Sequence, residues 1–337
     1  TQSIRKIQLT KPNAFDPKVT VIIVNWNGEP FLERCLTALM NQTVKPHEII
    51  LLDNASADGS VEIARRFPTV QLMLRNRNTG FARGNNLAIE AASAESEWIA
   101  LLNPDAFAEP RWLEALLAAT ESNPEFDVFG SRLVNAADPT LLDGAGDAYH
   151  LSGLVWRMGH GKPVSATMEN AHEIFSPCAA AALFRRSVLR DIGGFDEDFF
   201  CYVEDVDLGF RLRLAGYRCL SVPQSVAHHV GSGTTGGQHS DFSVYHGHRN
   251  LVWTFVKDMP GILFWMLLPI HLLLNVVSIV YFSLHGQGKV ILTAKWDAIK
   301  GIPKMWRKRR EIQSDRSASI MNIWHILNKK LWSANKH

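Results

Sequence analysis

Asn103, Pro104 and Asp105 follow directly on the apolar run Trp98–Leu102. The run reads as a buried strand. The three residues read as the turn at its carboxyl end, the edge where open α/β sheets hold their ligands. A carboxylate there can hold a hard divalent cation such as Mg²⁺ or Mn²⁺, which in turn holds a diphosphate. Asn-Pro-Asp is also ordinary surface-turn chemistry, so the surrounding chain has to decide between the two.

Other strand ends deliver polar groups to the same edge. The β-branched run Val19–Val24 ends in Asn25-Trp26-Asn27-Gly28, and Glu48–Leu52 ends in Asp53-Asn54. Asp53 stands where a carboxylate accepts hydrogen bonds from a ribose or a nucleobase N–H. The loop Asn78–Asn86 offers Asn78, Gly80, further amides and Arg83 beside a helix start, which suits a phosphate or nucleobase contact. A NAD-binding unit would carry GxGxxG after its first strand; NWNGEP stands there instead.

A second chemical stretch runs from Gly193-Gly194-Phe195-Asp196-Glu197 to Tyr202-Val203-Glu204-Asp205-Val206-Asp207. A helix is expected from Val206 to Ala215, stopping at Gly216. Its first turn is crowded by Glu204, Asp205 and Asp207. One or two such acids serve a helix dipole; three packed this closely also raise one another's pKa, which helps a general base. Farther on, a strand over Ser221–Val230 carries His228-His229 into a Gly/Ser/Thr loop at 231–237, read as a lid.

These residues need a frame. Strands over Val19–Val24, Glu48–Leu52, Val70–Leu74 and Trp98–Leu102 alternate with a helix over Pro30–Asn41, one opened by Ser56–Ser60 and one over Leu87–Ala92. That alternation predicts a doubly wound α/β unit. Helices are expected over Arg111–Thr120 and Tyr245–Val256, and a strand over Val128–Val134. Residues 144–164 read as a hairpin or a mobile flap.

The chain of 337 residues, 46% hydrophobic and 20% charged, is long enough for one large or two ordinary domains. Its net charge of +2 hides an asymmetry: residues 289–337 carry 12 basic and 3 acidic side chains, leaving 23 and 30 for the rest. The tail alone therefore fits an anionic membrane lipid surface or another polyanionic partner, and no nucleic-acid partner is expected. Cys35, Cys178, Cys201 and Cys219 lack metal or disulfide spacing and read as free thiols in a reducing compartment. The N-terminal stretch is polar, without an apolar secretory core.

From Met259 to Gly288 there is no Asp, Glu, Lys or Arg. Gly261–Leu284 is long enough to cross a bilayer at ~1.5 Å per residue. Pro269, His271 and Asn275 interrupt it, and a single crossing would separate the active edge from a basic tail that prefers the cytoplasm. A re-entrant hairpin bent near Pro269, or a deeply embedded in-plane helix, meets both objections. Three regions result: a polar leader at 1–18, a catalytic unit at 19–256 and membrane-associated helices with the basic tail at 257–337.

Taken in order, these stretches resemble the family 2 glycosyltransferases of GT-A fold, in particular the bacterial rhamnosyltransferase-like branch. The matching pieces are VIIVNWNG at 21–28, LLDNASADGS at 51–60, NTGFARGNN at 78–86, LLNPDA at 101–106, GGFDE at 193–197, YVEDVDLGFRL at 202–212 and HHVGSGT at 228–234. The resemblance implies a Rossmann-like, mostly parallel mixed sheet and a helical C-terminal region. It implies that Asn25, Asn27, Asp53, Asn78, Gly80, Arg83 and Asn103 bind the donor nucleotide. Asn103-Pro104-Asp105 takes the place of the DxD metal motif, with Asn for its first Asp. Asp105 and His228 would then bind Mg²⁺ or Mn²⁺, with His229 left open. Asp205 would be the general base, Glu204 and Asp207 would orient it or bind acceptor, Gly194 and Asp196 would line the acceptor pocket, and Arg249 would steady the leaving diphosphate.

The implied reaction is inverting transfer from a dTDP-, UDP- or GDP-sugar, dTDP-L-rhamnose first, to a polyprenyl-diphosphate-linked sugar at the cytoplasmic face of the plasma membrane. A nucleotidyltransferase would want a Gly-rich basic loop where NWNGEP stands. A processive synthase would want QxxRW, where the chain has HRNLVW at 248–253. A non-catalytic sugar-nucleotide sensor is the remaining alternative, and donor turnover separates it.

Overall fold

Strand β1 (Val19–Asn25) is buried along its whole length, because it lies at the centre of a sheet covered on both faces. Its side chains alternate between two cores: Val19, Val21 and Ile23 enter one, Ile22 and Val24 the other. This is the pattern a central parallel strand requires. The computed structural model describes residues 17–166, 169–231, 237 and 239–330. Most of the polar leader and of the Gly/Ser/Thr loop lies outside the described residues, as do residues 331–337 of the basic tail.

The first half follows the expected alternation: α1 (Glu29–Met40), β2 (Glu48–Asp53), α2 (Ser60–Arg65), β3 (Val70–Leu74), α3 (Phe81–Ala91) and β4 (Trp98–Leu102). Strands β3, β2, β1 and β4 pair in parallel in that spatial order. Their carboxyl ends therefore share one edge. Helix α3 starts six residues before the expected Leu87. Its first turn is polar, yet Asn85 Nδ2 donates to Phe81 O at 2.9 Å and Gly84 packs on Val24, so packing overrides weak propensity.

The second half is β5 (Ala106–Ala108), α4 (Trp112–Ser122), β6 (Val128–Asn135), β7 (Leu142–Gly144), β8 (Asp147–Tyr149), β9 (Val155–Arg157), β10 (His172–Ile174), β11 (Ala181–Arg185), α5 (Arg186–Asp191), α6 (Glu204–Ala215) and β12 (Cys219–His229). The sheet is mixed and mostly parallel, as expected, because β11 enters antiparallel between β4 and β6. No strand was read over Ala181–Arg185; its apolar run is short and follows an Ala-rich stretch. The 144–164 stretch resolves into the β8–β9 hairpin.

The C-terminal part is helical: α7 (Asp241–Asp258), α8 (Gly261–Leu284), α9 (Gly288–Ser314) and α10 (Ile320–Ile326). The re-entrant hairpin is not found. Helix α8 runs unbroken through Pro269, at the cost of one backbone hydrogen bond. Helix α9 returns beside it: Gly288 lies against Ser283, and Trp306 against Phe264 with ring centres 5.5 Å apart. Much of α8 is uncovered, including Trp265, Leu272, Val276 and Val280. Its length and composition suffice to cross a membrane.

Helices α6, α7 and α9 are bolted together by buried charge. Lys257 Nζ is fully buried, 2.6 Å from Asp196 Oδ2 and in contact with Asp207 Oδ1. Arg211 Nε donates to Asp207 Oδ2 at 2.9 Å, and Lys308 reaches Asp196 from α9. Asp196 and Asp207 were expected to bind acceptor. Both are instead consumed by this cluster, and Asp207 has no exposed side-chain surface. We expect Lys257→Met, which strands buried carboxylates, to lower unfolding free energy by about 3–5 kcal/mol in urea denaturation. A change under ~1 kcal/mol would show that the cluster does not hold the helices.

Candidate active site

A cleft of about 700 Å³ opens at the carboxyl edge of the sheet. Its floor holds Asn103, Pro104 and Asp105 at the end of β4, and one wall holds Trp26, Asn54, Asn78 and Gly80. Glu204, Asp205 and His229 also line the cleft. The wall is rigid for identifiable reasons. Asn54 accepts from Thr79 N at 2.9 Å and donates to Gly80 O at 3.0 Å, tying β2 to the 78–80 loop. Gly80 has φ +86°, and a Cβ there would collide with the Phe200 ring and carbonyl, so only glycine fits.

Asn25, Asn27 and Asp53 support this wall without lining it. Asp53 Oδ1 accepts from Asn25 Nδ2 at 2.9 Å and from Ser56 Oγ at 2.6 Å, and Oδ2 accepts from Ser56 N at 2.9 Å. Asn27 Oδ1 accepts from Ala57 N at 2.8 Å. Arg83 is half-exposed, 3.6 Å from Glu197, and outside the cleft.

His228 and His229 point to opposite faces of β12, as adjacent strand residues must. His228 turns outward and meets Glu109 at 3.1 Å. The expectation that His228 joins Asp105 is therefore corrected: His229 does, its Nε2 lying 3.4 Å from Asp105 Oδ1. That separation is long for a hydrogen bond, and the buried Nε2 has no other partner among the described residues. An oxygen and a nitrogen donor 3.4 Å apart, both lining the cleft, can reach one divalent cation seated beside them. Burial opposes protonation of His229, but the carboxylates of Asp105 and Asp143 outweigh it and push its pKa up to about 9.

Behind the histidine runs a line of buried charge. His229 Nδ1 is 2.8 Å from Asp143 Oδ2, and Arg157 Nη1 is 2.5 Å from the same oxygen. Arg157 Nε lies 3.9 Å from Asp147 Oδ1. Asp147, Cys178 and Asp205 then place ligand atoms within 4.8 Å of one another. Gly144 makes room, since a Cβ there would strike the Arg157 side chain. Burial and the neighbouring Asp205 push Asp147 up to about 8. Burial raises Asp205 against the opposing pull of Arg157 and three backbone N–H groups, and it raises Glu204 well above the carboxylate range, with help from Asp205. Neither Asp143, Asp147 nor Arg157 had been singled out. Only their occurrence in a Gly-rich stretch signalled them.

Asp205 is delivered by a strained turn. Phe200, Tyr202 and Val203 have φ of 66°, 64° and 68°, a region costly for a β-branched residue. Asn250 on α7 holds that turn. Its Nδ2 donates to Phe199 O at 3.0 Å, Cys201 O at 3.0 Å and Tyr202 O at 2.7 Å. Arg249, expected near the diphosphate, turns away, donates to Phe199 O at 2.9 Å and lies over Trp253. Gly194, expected in the acceptor pocket, packs on Asn86, whose side chain pairs with both backbone groups of Phe195.

The family model for glycosyl transferase family 2 matches residues 20–193. The chain belongs to that family. It is 32% identical over 248 residues to the N-acetylglucosaminyl-diphospho-decaprenol L-rhamnosyltransferase of Mycobacterium tuberculosis H37Rv, covering 67% of this chain and 80% of that one. The fold resembles the mannosyltransferase PcManGT from Pyrobaculum calidifontis, solved with GDP-Man and Mn²⁺ (TM-score 0.54, 18% identity, 95% of this chain and 91% of that one). It also resembles GalNAc-T7 solved with UDP, GalNAc and Mn²⁺ (TM-score 0.56, 17% identity, 72% of this chain and 48% of that one). The enzyme is thus a glycosyltransferase of GT-A fold, rhamnosyltransferase-like in sequence.

Two outcomes test the geometry. His229→Ala should weaken Mn²⁺-dependent nucleotide binding by calorimetry while His228→Ala stays close to wild type, with Asp143→Asn in between at roughly 10–100-fold; the reverse order of the histidines would refute the assignment. Asn250→Ala, which removes the one amide that spans the Phe199, Cys201 and Tyr202 carbonyls, should cut kcat severely and leave donor Kd nearly unchanged. Equal losses in both would show that the turn is not what Asn250 serves.

Proposed function

We propose that this glycosyltransferase moves a sugar, L-rhamnose from dTDP-L-rhamnose in first place, onto a polyprenyl-diphosphate-linked saccharide in envelope polysaccharide synthesis. One observation carries the reading: the cleft that holds Asp105 and Asp205 continues to Leu251 on α7 and Phe282 on α8. A single space thus joins the catalytic acids to the apolar helix, as a lipid-borne acceptor demands. The mycobacterial relative's name supplies the donor and acceptor classes.

In this reading the Trp26 ring and the polar edges of Asn54 and Asn78 meet the nucleoside, and Asn103 stands beside the diphosphate. Asp105 and His229 would hold Mg²⁺ or Mn²⁺, which supplies charge neutralisation for the departing diphosphate. Asp205 takes the proton from the acceptor hydroxyl. The acceptor oxygen bonds to the anomeric carbon as the bond from that carbon to the diphosphate oxygen breaks. Attack comes from the face opposite the nucleotide, so configuration inverts. Burial and the neighbouring Asp205 raise Glu204 well above the usual carboxylate range, which favours its neutral form beside the base.

The reading includes a seat on the membrane. If α8 crossed the bilayer, α9 alongside would carry Lys295, Asp297, Lys300 and Lys304 into hydrocarbon, at ~2.5–3.5 kcal/mol for each charge near the centre. Helix α8 instead lies in the plane, with Trp265, Leu273 and Val277 of α8 and Trp296 of α9 facing lipid. The basic residues of α9 favour the anionic cytoplasmic leaflet.

The test is a panel of dTDP-, UDP- and GDP-sugars with Mg²⁺ or Mn²⁺ and a short polyprenyl-diphosphate-GlcNAc, scored by product mass. One added deoxyhexose from the dTDP donor is expected. Asp205→Asn should abolish that transfer and retain donor binding. Transfer to a water-soluble acceptor alone would overturn the lipid assignment.

A further inference from the structure

At the end of α8 remote from the cleft, three guanidinium groups converge without an acid among them. Arg309, Arg310 and Arg316, with Gly261, Trp306 and Gln313, line a cavity of about 250 Å³. Arg309 is buried, donates to Val256 O at 3.0 Å and Met259 O at 2.5 Å, and lies 4.7 Å from the Phe264 ring centre. Arg316 donates to Ala318 O at 2.6 Å, and its Nε is buried without a partner among the described residues. Arg310 is exposed at the mouth. Arg309 is desolvated and Arg316 half-buried, both donate to carbonyls, and Asp258 behind Arg309 offsets at most one of the three charges, so the cavity favours an added anion.

The rim narrows the class of anion. Ile262, Trp265 and Met266, on the first turns of α8, are exposed beside the cavity, and the Trp265 and Trp306 ring centres are 6.5 Å apart. A soluble phosphate would use the arginines and leave this apolar skirt in water. An amphiphile with a phosphate head uses both. The acceptor's own diphosphate is excluded by distance. Gly261 lines this cavity and Phe282 the catalytic cleft, and an unbroken helix at ~1.5 Å per residue sets them about 30 Å apart.

We propose that the arginine cavity binds the phosphate headgroup of an anionic glycerophospholipid of the bilayer, giving the enzyme a second membrane attachment away from its substrate. The headgroup fills the cavity while the acyl chains follow Trp265 and Met266. This rests on the in-plane seating of α8 proposed above. Bound at both ends, α8 is held along the surface, so the cleft mouth stays at the depth where a polyprenyl diphosphate lies.

The experiment is flotation of the full-length enzyme with phosphatidylcholine vesicles and with vesicles that also contain phosphatidylglycerol. Wild type should bind both and prefer the anionic vesicles by roughly tenfold or more. Arg310→Ala/Arg316→Ala should lose that preference yet still bind phosphatidylcholine. Lys289→Ala/Arg307→Ala removes the same charge from exposed positions outside the cavity and should keep most of it. Arg310→Ala alone, at an exposed site that folding does not need, should lose part. Equal losses in the two double variants would reduce the effect to general electrostatics and overturn the cavity. Displacement by millimolar inorganic phosphate as strong as by phosphatidylglycerol vesicles would make it a soluble-anion site. Wild type that binds both vesicles without preference would refute the cavity and leave the seating intact. Wild type that binds neither would refute the seating itself.

Discussion

Buried charge cannot be left alone, and the catalytic edge is arranged around that constraint. Asp105, His229, Asp143, Arg157, Asp147 and Asp205 form a line in which acid and base alternate until the two final carboxylates meet. Each member is held because removing one would strand the next. The line fixes two things at once: the Asp105 and His229 donor pair at one end and the Asp205 carboxylate at the other. The β8–β9 hairpin supplies Asp147 and Arg157, so a small two-stranded element beside the main sheet sets the distance between the two chemical ends.

The same reasoning makes the helical C-terminal region part of the site. Helix α7 contributes Asn250, which grips the strained turn before Asp205, and Lys257, which neutralises Asp196 and Asp207 behind it. Positive φ at three non-glycine residues costs of order 1–3 kcal/mol each. Such a turn survives only where the surroundings over-determine it, and three carbonyls on one amide do so. The C-terminal helices therefore reach the turn before Asp205 through direct hydrogen bonds and ion pairs.

Much of this frame was legible in the chain. The strands β3 and β4 fall on their expected residues, and the apolar runs that end in Asn25, Asp53 and Asn103 do share one edge. What failed to show was orientation. Strand β12 is irregular between Val222 and Val226, where Pro223 interrupts the ladder. Beyond that bulge Val226, His228 and Val230 share one face and Ser225, Ala227 and His229 the other. Hydrophobicity favours the face with the valines, which is the outward one for the histidine. Acids in a helix first turn look alike in sequence whether they face a cleft, as Asp205 does, or a buried lysine, as Asp207 does. The hairpin acids were hidden because a pairing partner 86 residues away, as between Asp143 and His229, leaves no local period.

Continuity between the cleft and α8 also constrains how an acceptor can arrive. An in-plane helix places Phe282, and so the mouth, at one depth, and its partner α9 keeps lysines on the water side of the same layer. The acceptor's diphosphate can then stay among the headgroups while only its terminal sugar enters. Hydrocarbon need not leave the bilayer, and that removes a penalty of ~0.8 kcal/mol for every methylene that would otherwise be drawn into water.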